Sequence, residues 1–198
     1  MGALAIGNPE SSAGRRLPSR GLVGMYCLIA AEAAIFTIFV VAYLFYVGKS
    51  TSGPLPKDVL RAPIFYTVCL LSSSLTVHLA VRRAKSGEMA SFARWWLATI
   101  VLGGAFLFGT AREWAHLIFD EGLTVNTNLF GTTYYSLVGL HASHVTVGLL
   151  ALLTVAIFYF AAELRPEHAE RVEILAMYWH FVDAVWIVVF TVVYVIGV

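Results

Sequence analysis

Five stretches of the chain are almost wholly apolar: Leu22–Val47, Ala62–Val81, Phe92–Phe119, Thr132–Ala162 and Val172–Val198. Each meets the roughly 20 residues that a helix needs to cross a bilayer, and the longer ones can tilt or extend past the hydrocarbon. A bilayer offers no water to satisfy backbone N–H and C=O groups, so runs of this kind must be helices. The pattern predicts an all-α polytopic membrane protein. Residues 22–198 form a five-helix transmembrane bundle, with spans at about 22–47, 62–81, 92–119, 132–162 and 172–198, behind a flexible tail at 1–21. The linkers read as loops. Gly53-Pro54-Leu55-Pro56 breaks any helix between the first two spans, Arg82, Arg83, Lys85 and Gly87 follow the second, Asn126 and Asn128 lie after the third, and Arg165-Pro166 after the fourth.

Composition narrows the class. The 198 residues are 59% hydrophobic and 13% charged, which argues against a soluble globular protein. A formal net charge of +1 gives no basic field for nucleic acid. Cys27 and Cys69 both fall in apolar runs without C-x-x-C spacing, and read as small buried hydrophobes rather than a disulfide framework. The first span is too long for a signal-peptide core and lacks a small-residue cleavage site, so it reads as retained. Lys and Arg number nine on one side of the spans (Arg15, Arg16, Arg20, Arg82, Arg83, Lys85, Arg94, Arg165, Arg171) and three on the other (Lys49, Lys57, Arg61). The positive-inside rule then places the amino terminus in the cytoplasm and the carboxyl terminus outside. No internal repeat suggests a transporter built from inverted halves.

Polar residues inside the spans carry the chemistry, because an ionisable group there costs about 2.5–3.5 kcal/mol on insertion scales. His180 and Asp183 lie one helical turn apart in Tyr178-Trp179-His180-Phe181-Val182-Asp183-Ala184-Val185-Trp186, at a spacing that lets their side chains meet. The simplest reading is an Asp accepting a hydrogen bond from the imidazole. Glu32 sits in Ala30-Ala31-Glu32-Ala33-Ala34, at a similar depth to that pair, roughly 15 Å from the inner end. Ala30 and Ala34 make a small-xxx-small face that invites another backbone. Glu32 is either a proton-exchanging carboxyl or a neutral acid tying helices together. His141 and His144 share a face of the fourth span, His78 lies near the inner end of the second, and Glu113-Trp114-Ala115-His116 near the outer end of the third. His78, Glu113, His141 and His144 read as structural polar residues. Glu-x-x-His at 113–116 is half of a di-iron bundle motif, and no second half exists. Axial ligation of b-type haem by intramembrane His stays open as an alternative. No nucleophile–base pair, phosphate loop or nucleotide fingerprint appears, and no catalytic residue is assigned.

Taken together, these residues resemble subunit III of the haem–copper respiratory oxidases, in its five-helix bacterial form. Residues 178–186 are close to the family's Trp-His-Phe-x-Asp-x-Val-Trp signature. Gly139-Leu140-His141-Ala142-Ser143-His144-Val145-Thr146-Val147-Gly148 is like its Gly-x-His-Gly-x-His-Val-x-x-Gly, with Ala142 for the usual Gly. Glu32 matches the acid of its Ser-Glu motif, with Ala31 for Ser, and Glu113-Trp114 resembles a recurring Glu-Tyr pair. The likeness covers all five spans. Relative to seven-helix members, the chain lacks the first two helices that close a lipid-filled cleft.

The resemblance implies a non-catalytic subunit of an aa3-type cytochrome c oxidase, a proton-pumping terminal oxidase of aerobic electron transport in the bacterial cell membrane. Haem and copper would belong to subunits I and II, with no metal or cofactor bound by this chain. Its expected roles are to stabilise subunit I, support proton uptake and hold phospholipid. Its expected partners are subunits I and II, smaller oxidase or supercomplex subunits and membrane lipid. Carried over by position, Glu32 is the family's intramembrane acid, His180 and Asp183 its last-span pair, and His141 and His144 its fourth-span pair. Glu32 is the leading proton-uptake candidate of Glu32, His180 and Asp183. Subunit III of a quinol oxidase, a nitric-oxide-reductase-associated relative and a stand-alone b-haem membrane cytochrome are the alternatives.

Overall fold

A computed structural model describes residues 19–50, 52–162, 164 and 166–198. The expected tail therefore lies outside the described residues up to position 18, as does Arg165 of the last loop. All regular structure among the described residues is helical. Five long helices carry the apolar runs: α1 (Arg20–Tyr46), α3 (Ile64–Lys85), α4 (Met89–Phe119), α5 (Leu129–Phe160) and α6 (Ala169–Phe190). α6 continues into a π-helical turn, Thr191–Ile196. The linker expected as plain loop after α1 holds one short helix, α2 (Pro56–Val59), because Pro56 is pre-set for a first helical position.

Caps and turns set the boundaries. Ser19 caps α1 by accepting from the Leu22 N–H at 3.3 Å. Asn128 caps α5 by accepting from the Gly131 N–H at 2.8 Å, and its amide donates to the Ser52 and Pro54 carbonyls, fastening the first linker to the α5 start. Between α3 and α4 the chain reverses at Gly87, whose φ of 76° favours glycine. Glu88 N–H reaches Arg83 O at 3.0 Å and Gly87 N–H reaches Ala84 O at 3.1 Å, a Schellman closure. The Glu88 carboxylate takes both bonds from one Arg83 guanidinium nitrogen across the same turn.

The helices alternate in direction. One end of the bundle gathers Arg20, Arg82, Arg83, Lys85, Arg94 and Arg171, and is called here the basic end. α6 packs against α1, α3 and α5, α5 also packs against α4, and α3 pairs with α4. α1 lies at the edge, in the groove between α5 and α6, with Phe36 and Tyr43 its buried residues.

Trp179 of α6 locks the centre. It is fully buried, and a Cβ on Gly103 of α4 or on Gly148 of α5 would come within 2.8 or 2.9 Å of its ring. Its indole N–H donates to Ser73 Oγ of α3 at 2.8 Å. One side chain thus joins four helices, and the small residues are what let it in.

Two expectations about α1 and the cysteines do not hold. Ala30 and Ala34 are exposed, so the close helix approach expected there is not made within the chain. Cys27 is exposed and Cys69 only half-buried. The reason is common to both: lipid is as apolar as a protein core, so an apolar side chain in a membrane helix has no strong drive inward.

Candidate functional site

Three polar clusters are built into the bundle. The first joins α1 to α5. Glu32 Oε2 lies 3.0 Å from His144 Nε2, and the two side chains are 22% and 14% exposed at the groove edge. His144 Nδ1 lies 2.7 Å from the Leu140 carbonyl. A carbonyl only accepts, so Nδ1 carries a proton. The Nε2–Oε2 contact then holds a single proton in either arrangement: a protonated Glu32 donating to neutral imidazole, or imidazolium donating to carboxylate. Either way the pair is neutral overall, which suits a site inside a bilayer. Phe36 covers the imidazole at 4.9 Å between ring centres, and Tyr178 donates to the His144 carbonyl at 3.4 Å.

The second cluster joins α3 to α6. The expected direct bond from His180 to Asp183 is absent, because Ser74 stands between them. Ser74 Oγ is 2.9 Å from His180 Nδ1 and donates to Asp183 Oδ2. Asp183 is 3% exposed, and its Oδ1 has no partner. His78 of α3 lies within electrostatic reach of His180 and is itself exposed. The similar depth of Glu32 and the His180–Asp183 pair does not bring them together. α6 turns Tyr178 toward His144 and Phe181 toward Phe36, while His180 and Asp183 address α3.

The third cluster lies toward the opposite end. Glu113 Oε1 of α4 accepts from Tyr194 Oη at 2.7 Å and from Tyr134 Oη at 3.2 Å. His116 does not share this site. It is exposed, with Nδ1 2.6 Å from Asp120. His141 is fully buried, stacked on Trp186 at 4.9 Å and edge-on to Phe106, with neither ring nitrogen hydrogen-bonded. Among the described residues no three His, Cys, Asp or Glu side chains converge as a metal-binding group.

Sequence reading missed Ser74, Tyr134, Tyr178 and Tyr194. One signal was available: Ser72-Ser73-Ser74 followed by Thr76 and His78 is a polar run inside an apolar span. The tyrosines carried none, since aromatic residues are ordinary in such helices.

Five long apolar helices, joined by polar contacts such as Glu32–His144, Ser74–Asp183 and Tyr194–Glu113, define a multi-pass membrane protein. Residues 19–198 match the family described as cytochrome c oxidase subunit III, and the chain belongs to that family, as a subunit III of a terminal oxidase. It is 34% identical to the cytochrome c oxidase subunit 3 of Alkalihalophilus pseudofirmus, over 89% of this chain and 86% of that protein. It is 32% identical to the cytochrome c oxidase subunit 3 of Corynebacterium diphtheriae, over 97% and 98%. It is also 34% identical to the cytochrome bo(3) ubiquinol oxidase subunit 3 of Pseudomonas aeruginosa, over 88% and 84%. Membership implies partnership with other oxidase subunits.

Proposed function

We propose that the chain is the non-catalytic subunit III of an aa3-type cytochrome c oxidase in a bacterial plasma membrane, where it stabilises subunit I and supports proton uptake. Haem and copper reside in subunits I and II in this reading. The basic end faces the cytoplasm, as its surplus of Lys and Arg supports. The single observation that carries proton uptake is the Glu32–His144 contact: a neutral pair, one proton, at mid-membrane depth, open at the groove edge. A cavity of about 360 Å³ near the basic end has mostly apolar walls, among them Val155, Phe158 and Val172, with Arg171 in its lining, and suits a phospholipid.

The test is Glu32→Ala in the assembled oxidase. The expected outcome is unchanged haem content with an altered turnover number before inactivation, or altered proton uptake. Wild-type turnover and inactivation across a broad pH range would overturn the proton role and leave Glu32 a helix tie. A quinol oxidase is the second reading, favoured by the equal 34% identity to a ubiquinol oxidase subunit. Oxygen consumption with reduced cytochrome c against reduced quinol separates the two.

A further inference from the structure

The α3–α6 cluster differs from the Glu32–His144 pair in one respect that decides what each can do with a proton. In the pair, the far nitrogen of the imidazole ends on the Leu140 carbonyl, which accepts and cannot pass a proton on. In the α3–α6 cluster, the imidazole ends on a hydroxyl, which does both.

Ser74 has one proton and two neighbours. With Asp183 ionised, Ser74 donates to Oδ2 and accepts from His180 Nδ1–H. With Asp183 protonated, Oδ2–H donates to Ser74, Ser74 donates to Nδ1, and the ring proton sits on Nε2. One delivered proton converts the first state to the second. An N–H bond forms at Nε2 and the one at Nδ1 breaks. That proton moves to Ser74 Oγ as the original hydroxyl proton moves to Oδ2. The balance is one proton gained and one carboxylate charge neutralised. Ser74 stays bonded to His180 Nδ1 and Asp183 Oδ2 in both states, with donor and acceptor exchanged.

The surroundings give this chain a direction. His78 is exposed and sits one turn from Ser74 on the same face of α3, seven residues from Lys85 at the basic end, or roughly 10 Å. His180 is half-buried, and Asp183 is buried with Oδ1 unpartnered. Of the neighbouring helices, α4 contributes only hydroxyls here, with Thr99 bonded to Thr76 at 2.7 Å. Of the ionisable groups that α1 and α5 contribute near this depth, Glu32 and His144 are closed on each other, and His141 is buried against Trp186 with neither ring nitrogen hydrogen-bonded.

We propose that His180, Ser74 and Asp183 form a one-proton wire that carries a proton from the basic-end side of the bundle to the buried carboxyl of Asp183, with Ser74 as the conducting step and His78 as the outer acceptor. Its physiological use rests on the proton-uptake reading above, while its chemistry does not.

Infrared difference spectroscopy on the intact oxidase after a downward pH jump tests the wire through the C=O stretch of a newly protonated carboxyl. Asp183→Asn assigns the band by removing it. Wild type and Ser74→Thr gain the band at the same rate. Ser74→Ala slows it by about a hundredfold or more, the low end of what a positioned proton-transfer group contributes. His180→Gln keeps a hydrogen-bonding side chain but cannot relay, and slows it equally. If Ser74→Ala fails to assemble, seen as lost haem, His180→Gln decides. A wild-type rate in these variants, or no Asp183 band at any pH, overturns the wire. Wild-type turnover in Glu32→Ala together with a relay-dependent Asp183 band would sink the earlier reading and leave the wire standing.

Discussion

A carboxyl group inside a bilayer is costly unless hydrogen-bond donors reach it, and two phenols donate to Oε1 of Glu113. Removing the nearer one leaves Oε1 with Tyr134 alone, at a cost of about 0.5–1.5 kcal/mol for the lost bond. Tyr194→Phe is therefore expected to lower the thermal midpoint of the purified subunit or complex, and an unchanged midpoint would contradict the assignment. Glu113, Glu32, His180 and Asp183 were each legible in the sequence as polar residues where polarity is expensive. Their partners were not. Tyr194 lies 81 positions from Glu113, Ser74 lies 109 from Asp183, and His144 lies 112 from Glu32. Local spacing suggested instead that His180 and Asp183 meet each other. Helix packing overrides this, because Ser74 of α3 stands between them.

At the scale of elements, all five spans were legible, since a bilayer accepts few alternatives to an apolar helix. Which side of each helix faces inward was not. Leucine and valine suit lipid and core alike, so the inward faces are marked by small residues and by the large side chain they admit. Trp179 between Gly103 and Gly148 is that device. Gly148→Ala sets a methyl 2.9 Å from the indole, and overpacking of this kind costs about 1–3 kcal/mol. Gly104→Ala meets nothing within 4 Å and is the control. The thermal midpoint in detergent should fall for the first and hold for the second, while equal behaviour of the two would contradict the packing role of Trp179.

At the scale of the molecule, the bundle is asymmetric. α6 is surrounded, whereas α1 packs mainly against α5 and α6 and leaves much of its apolar face outward. Membership of the subunit III family implies partnership with other oxidase subunits. In the proposed function this chain belongs to a haem-bearing complex and binds no haem itself. Purification of the tagged chain from native membranes in mild detergent tests it most directly, with an absorption spectrum taken before and after the subunits are separated. Co-purification with haem-containing subunits I and II is expected, with no stoichiometric Soret band on the isolated chain. A chain that purifies without oxidase subunits, or keeps a stoichiometric Soret band of its own, would contradict it.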